Sequence, residues 1–316
     1  MKPILWFVVV IAAFSIVGAC SPALGPNDDD LGGSNGTDTG NGTDTGTELL
    51  PPSGRIAFVT DLFGDINDAF ARQIMYFCFE SEAFTWLVTS GVSLEPAWRP
   101  DGRRIAYCID SGSFPNRYQI WTMHDDADNQ TRLTSIGGNG SPEWSPDGEQ
   151  IAFTSDRAEG NWEVWKMTAA GGTQVRLTTS EWNQSPTWSP DGSKIAYVSG
   201  LAATSIHVMN ADGSGQIELT ADGADNPAWS PDGTLIAYDR YTDRRHIFVM
   251  NTDGTGETQL TDTNGGTQPC WSPDGQWIAY TRSNNIWIVR ANGSEFVQVT
   301  TSDHGANSRP SWGVAK

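Results

Sequence analysis

Asp61, Asp110 and Asp156 each stand five residues past an isoleucine, after Ile56, Ile105 and Ile151. Three carboxylates gathered at one rim would suit a hard divalent cation, although aspartates at strand ends also serve as ordinary turn residues. Trp162 and Trp182, with Arg157 and Asn183 as polar neighbours and Phe114 and Tyr118 upstream, offer aromatic surface for a protein hot spot or a sugar platform. The competing reading folds these rings back onto the body of the protein. Catalytic chemistry finds less support. His124, His207, His246 and His304 show no metal-ligand spacing. GGSNG at 32–36 has the letters of a nucleophile elbow, but no strand precedes it and no helix follows. DDADNQ at 125–130 lacks the glycine and distal glutamate of a calcium loop. The sequence therefore predicts no catalytic residue, no metal and no cofactor.

The elements that must position these residues come from a repeat. WSPDGEQIAF at 144–153 has close variants starting at Trp98, Trp188, Trp229 and Trp271. In every copy the Trp precedes the Ile of IA[FY] by seven residues, and a later β-branched residue precedes a Leu or Val by 13. Those second pairs are Ile120 and Leu133, Val164 and Leu177, Ile206 and Leu219, Ile247 and Leu260, and Ile286 and Val299. The irregular N-terminal region obeys the same rule through Ile56, Ile74 and Leu87, which makes six units.

Within a unit the order is a P-x-W strand, an SPDG turn, an IAF/Y strand, a variable loop, an IWxMN-type strand, an ADGSG-type turn and a TRLT-type strand. Proline presets φ at the second turn position, Asp suits the third, and Gly supplies the left-handed fourth. Four antiparallel strands every 41 to 46 residues make a propeller blade. The chain enters its first unit at the IAF strand and carries PSWG at 310–313. Trp312 is therefore expected beside Ile56, closing an all-β, six-bladed propeller over residues 55–316. The repeated tryptophans then read as packing between blades, and so does the column Trp121, Trp165, His207, Phe248 and Trp287.

Function is expected where the repeat stops repeating. From the IAF/Y isoleucine to the next strand the intervals are 18, 15, 13, 11, 11 and 8, whereas the intervals from Leu or Val to the next Trp stay between 10 and 13. Length variation thus falls on one end of the ring, and variable loops on a rigid frame commonly carry binding residues.

Composition narrows the setting. A formal net charge of −19 and a pI near 4.4 leave no basic stripe for nucleic acid. Lys2, the apolar run from Ile4 to Val17 and the ending VGAC have the order of a secretory signal over residues 1–19. VGAC resembles a bacterial lipobox, which implies lipid on Cys20. Ser21 in place of Asp points to the outer membrane, with the protein facing the periplasm. Residues 20–54 are rich in Gly, Asn, Thr and Asp and read as a flexible tether of roughly 30 Å mean span. Cys78, Cys108 and Cys270 are odd in number and are expected as buried thiols.

WSPDGxxIAF/Y with an IWxMN strand resembles the propeller repeat of the TolB family, the periplasmic component of the Tol-Pal envelope system, over residues 54–316. The resemblance implies the six-bladed fold and an envelope location. TolB-like proteins also carry an N-terminal α/β domain, where this chain is expected to have a tether and a lipid anchor, so a role in Tol-Pal itself does not carry over. The function expected is a monomeric, lipid-anchored scaffold that binds an envelope protein or peptide on the variable-loop face. The alternative is a carbohydrate- or peptide-processing enzyme at the channel mouth, built on Asp110, Asp156 and a metal.

Overall fold

The seven-residue spacing of Trp and Ile is the register of the innermost strand pair in every blade. Trp98 pairs with Ile105, Trp144 with Ile151, Trp188 with Ile195, Trp229 with Ile236 and Trp271 with Ile278. Trp312 pairs with Ile56 and so joins the two ends of the chain in one sheet. The computed structural model describes residues 52–61, 72–87, 89, 92–112, 117–158, 160–179, 182–221, 223–301 and 305–315. Cys20, Phe114 and His304 lie outside the described residues, as do residues 1–51, on which the expected signal and nearly all of the expected tether fall.

Six four-stranded antiparallel sheets form the ring. Blade 1 holds β1 (Arg55–Asp61), β2 (Arg72–Cys78), β3 (Ala83–Leu87) and, as its innermost strand, β24 (Asn307–Gly313). Blade 2 holds β4 (Val92–Trp98), β5 (Arg104–Asp110), β6 (Tyr118–His124) and β7 (Thr131–Arg132). Blade 3 holds β8 (Asn139–Trp144), β9 (Gln150–Ser155), β10 (Glu163–Thr168) and β11 (Val175–Arg176). Blade 4 holds β12 (Asn183–Trp188), β13 (Lys194–Ser199), β14 (Ser205–Asn210) and β15 (Ile217–Glu218). Blade 5 holds β16 (Ala224–Trp229), β17 (Leu235–Tyr241), β18 (Arg245–Asn251) and β19 (Thr258–Gln259). Blade 6 holds β20 (Thr267–Trp271), β21 (Trp277–Arg282), β22 (Asn285–Arg290) and β23 (Phe296–Gln298).

The turns behave as their letters require. In four SPDG turns the Ser hydroxyl donates to the Asp carboxylate at 2.5 to 2.6 Å, and Gly102, Gly148, Gly192, Gly233 and Gly275 take φ between 66° and 72°. The spacing of 13 is also a hydrogen bond: Leu133, Leu177, Leu219, Leu260 and Val299 each donate N–H to the carbonyl of the matching β-branched residue at 2.8 to 2.9 Å. The threonine that follows closes the strand by accepting that residue's own N–H, as Thr134 does from Ile120.

Each tryptophan of the repeat packs against the preceding blade. Trp98 lies with Ala57 and Tyr76, Trp144 with Cys108 and Ile120, and Trp312 with Trp277 and Ile286 across the closing seam. Burial of such rings between sheets is the main apolar contribution to holding the ring closed. Cys108 and Cys270 are free, as expected. Cys78, by contrast, is disulfide-bonded, a correction to its reading as a thiol.

Candidate functional site

The loop end of the ring is stitched blade to blade through the main chain. Asp156 N–H donates to Gly138, Asn183 to Trp162, Gly200 to Trp182, Ala224 to Thr204, and Tyr241 to Gly223. The variable loops of blades 3, 4 and 5 are thus each clasped by a connection to or from a neighbouring blade, which places them side by side in an arc.

The three aspartates occupy this end but take separate partners. Asp61 pairs with Arg72 at 2.9 Å. Asp110 pairs with Arg117 at 2.8 Å and accepts the Gly112 N–H. Burial pushes the Asp110 carboxyl upward, yet the bonds from Arg117 and Gly112 win and hold it below its usual range. Asp156 accepts the Gly138 N–H at 2.6 Å. Among the described residues no group of three acidic, His or Cys side chains is placed to hold a metal.

Trp162 is half-buried, and a methyl group on Gly138 would come within 3.2 Å of its ring. The indole therefore covers the connection into blade 3 while keeping one side open. Trp182 is likewise half-buried, and Tyr118 opens β6 beside the Arg117 guanidinium at 5.1 Å. Arg157 and Asn183 are corrected as loop-face polar partners. Arg157 turns inward over Phe153 and Trp165 at 5.2 and 5.0 Å, bonded to Ser155 and Asn139. Asn183 is buried and donates to the buried Glu163 carboxylate at 3.0 Å. His207 lies 5.5 Å from the Tyr197 ring and shares a hydrogen bond with Ser205, so it fills the aromatic column.

Sequence reasoning missed two features. Of the four large apolar residues more than 60% exposed among those described, three lie at the loop end: Ile136, Leu201 and Tyr241. Ile136 and Leu201 occupy no repeating position, and Tyr241 stands five residues past Ile236 where three other units carry aspartate, so residue type and not spacing sets it apart. The second feature lines the channel. Glu95, Ser141, Ser185, Asn226, Gln268 and Arg309 all have left-handed φ between 47° and 58°, three residues before the tryptophan and directly before a proline. Each sits at the register shift of its innermost strand. Six such bulges, each with a non-glycine residue in this conformation, aim six polar side chains at one place. The x-P-x-W pattern was present in the sequence, with the residue before the proline polar in all six copies, and was the signal available.

These six residues border a cavity of about 420 Å³ that reaches the SPDG turns at Pro231 and Pro273. Arg309 bridges to Glu95 at 2.6 Å, and Glu95 also accepts the Ser141 N–H. Glu143 borders the same cavity without a hydrogen-bonding or ionic partner among the described residues, and desolvation alone raises it to about 8. Its side chain keeps some exposure, but to a narrow channel rather than to bulk water, so the desolvation counts. Cys270 faces the same channel from blade 6, opposite in the ring, and burial followed by the Glu143 charge pushes its thiol up. The thiol stays neutral where Glu143 titrates and so exerts no charge on it in return.

A family model described as the TolB β-propeller domain matches residues 80–265. A model for the N-terminal region of dipeptidyl peptidase IV matches residues 241–315. No curated protein matches the chain. Among solved structures, TolB from Acinetobacter baumannii is similar at 24% identity and a TM-score of 0.70, covering 82% of this chain and 66% of that one. A putative TolB from Agrobacterium tumefaciens is similar at 18% identity and 0.64, covering 79% and 90%. A chain of a nidogen/laminin complex reaches 0.65 at 11% identity, covering 82% and 98%. At these identities the likeness is one of fold, and the scaffold recurs across unrelated tasks.

Proposed function

Because the chain belongs to the TolB β-propeller domain family, we propose that it is a scaffold of the bacterial envelope that binds a protein or peptide across the loop end of its ring. The observation that carries this reading is the arc of Ile136, Trp162, Trp182, Leu201 and Tyr241. Three of these are largely exposed and two are half-buried, and the loops bearing them are stitched side by side by main-chain hydrogen bonds. Exposed apolar groups gathered on one face of an otherwise acidic protein favour docking of another protein.

A lipid on Cys20 requires that the Cys78 disulfide be open or made to another chain, since Cys108 and Cys270 are free, and an anchor so formed would fit this orientation. Chain entry at Arg55 lies at the SPDG end, where the Arg55 guanidinium bonds the Gly102 carbonyl and pairs with Asp125 at 2.9 Å. A tether from a lipidated Cys20 would leave from that end and hold the loop end away from an outer membrane, toward the periplasm. Mass analysis of the Cys20 peptide tests the anchor. A diacylglyceryl thioether supports it, and a disulfide from Cys20 to Cys78 overturns it, because one sulfur cannot serve both.

In this reading the protein performs no reaction of its own. A carbohydrate- or peptide-processing site on Asp110 and Asp156 would need both carboxylates on one group, and each is held separately by Arg117 and by Gly138. The test of the binding face is in-cell crosslinking with mass spectrometry, comparing the native chain with a variant carrying Ile136→Ser, Leu201→Ser and Tyr241→Ser. The expected outcome is loss of the crosslinked envelope protein with an unchanged melting curve. Retention of the same crosslinks would remove the loop end as the binding face. Trp162→Ala with Trp182→Ala is expected to weaken the crosslinks further.

A further inference from the structure

Five of the six blades end in an outer strand too short to template another. β7, β11, β15 and β19 have two residues each and β23 has three. Each carries a charged or amide side chain: Arg132, Arg176, Glu218, Gln259 and Gln298. Brevity and charge are the usual ways of blunting a sheet edge. Blade 1 uses neither. Its β3 reads AFTWL, pairs with β2 at all five residues from Ala83 to Leu87, and has no described strand beyond it.

An antiparallel strand turns every second N–H and C=O away from its partner. The outer side of β3 therefore presents main-chain donors and acceptors, with no charge within the strand. Phe84 and Trp86 share one face of the sheet. Phe84 is held by Phe58 at 6.3 Å and Phe77 at 4.9 Å, whereas Trp86 is 43% exposed. At the start of the strand Glu82 is exposed and has no ion-pair partner among the described residues.

We propose that the outer edge of β3 is a strand-addition site that takes an extended segment of a basic partner protein. Main-chain hydrogen bonds supply the affinity of such a contact and alternate side chains the selectivity. On this edge the selecting groups are Trp86, which suits a β-branched or aromatic residue, and Glu82, which suits a Lys or Arg at one end. The net charge of −19 opposes pairing with a second copy of the same edge and favours a basic partner. The site is on the rim of blade 1 and does not depend on the loop-end reading.

The test uses the full chain and a labelled, N-acetylated peptide of alternating Val and Thr ending in two lysines, followed by anisotropy and by hydrogen–deuterium exchange. Saturable binding with roughly tenfold slower exchange at Phe84 to Trp86 is expected. N-methylating alternate peptide amides should weaken binding by about tenfold in one phase of the alternation and little in the other. Glu82→Lys should reverse the preference toward a peptide ending in glutamates, with the circular dichroism spectrum unchanged. Unaltered β3 exchange, or equal effects of the two methylation phases, would overturn the proposal. Slow β3 exchange before any peptide is added would do the same. In that case a doubled sedimentation mass would assign the edge to a second copy, and loss of protection on deleting residues 21–51 would assign it to the chain's own tether.

Discussion

The two ends of the ring are built on opposite plans. At the SPDG end the same bonds recur: a Ser hydroxyl on an Asp carboxylate, a glycine N–H on the Ser carbonyl, and a main-chain N–H two residues past the Asp returning to it, as in Ser189, Asp191, Gly192 and Ser193. The Ser189 hydroxyl and the Ser193 N–H hold the Asp191 carboxyl down at about 2. At the loop end equivalent aspartates take an arginine eleven residues on, an arginine seven residues on, or a backbone N–H of the preceding connection. Sameness marks what closure of the ring demands, and variety marks the positions that the frame leaves free for contacts.

The comparison breaks most severely if the repeated part proves dispensable. Removing residues 307–316 deletes β24, unpairs β1 and opens the cluster shared by Trp312, Ile56 and Trp277. The expected outcome is loss of a cooperative melt. Trp312→Ala alone should cost about 3–5 kcal/mol, read from denaturant titration. A truncated chain that melts like the intact one would undo the account of closure.

The channel wall belongs to neither plan, since its strands repeat while their inward residues differ. Glu143 is ordinarily ionised above the usual carboxylate range, but in the folded channel it holds its proton up to about 8. The folded state then binds more protons than the unfolded one between the two pKa values, so stability falls as pH rises from about 4.5 to 8 and levels off above. Solvent in the channel reduces the effect to an order of 1–3 kcal/mol. Glu143→Gln should flatten that slope, measured as melting temperature against pH. An unchanged slope would show that the channel solvates the carboxylate fully.

How far this was legible in the sequence follows the same division. Seven residues from Trp to Ile and thirteen from Ile to Leu are readable because a tight turn fixes the register locally, and closure by Trp312 follows from the missing strand of the first unit. Asn183 misled because its partner, Glu163, lies twenty residues back on another blade, and pairwise contacts of that kind leave no periodic trace. Arg157 misled because its position suggests a loop, whereas its guanidinium finds aromatic faces within the sheet. The left-handed row from Glu95 to Arg309 was visible only as a polar residue before each proline. Its role comes from backbone geometry that letters do not display.

A smaller effect separates single bonds at the two ends. Asp191→Ala removes the Ser189 and Ser193 bonds of one turn among several and should cost roughly 1 kcal/mol. Arg72→Ala at the loop end breaks an exposed pair with Asp61 and should change stability by less than about 0.5 kcal/mol. Equal losses would erase the distinction between a demanded and an optional contact.

The smallest effect on stability is expected where the effect on binding is largest. Leu201 and Tyr241 are 69% and 61% exposed, so serine at either position removes little buried area and should shift stability by no more than about 0.5 kcal/mol. The Tyr241 main chain still serves the stitching between loops, because its N–H bonds Gly223, and that bond survives a side-chain change. A Tyr241→Ser chain that keeps its melting curve but loses its envelope crosslinks places the exposed ring in recognition. A chain that melts lower places it instead in the packing of blades 4 and 5, and the variable end then joins the architecture that the SPDG end already represents.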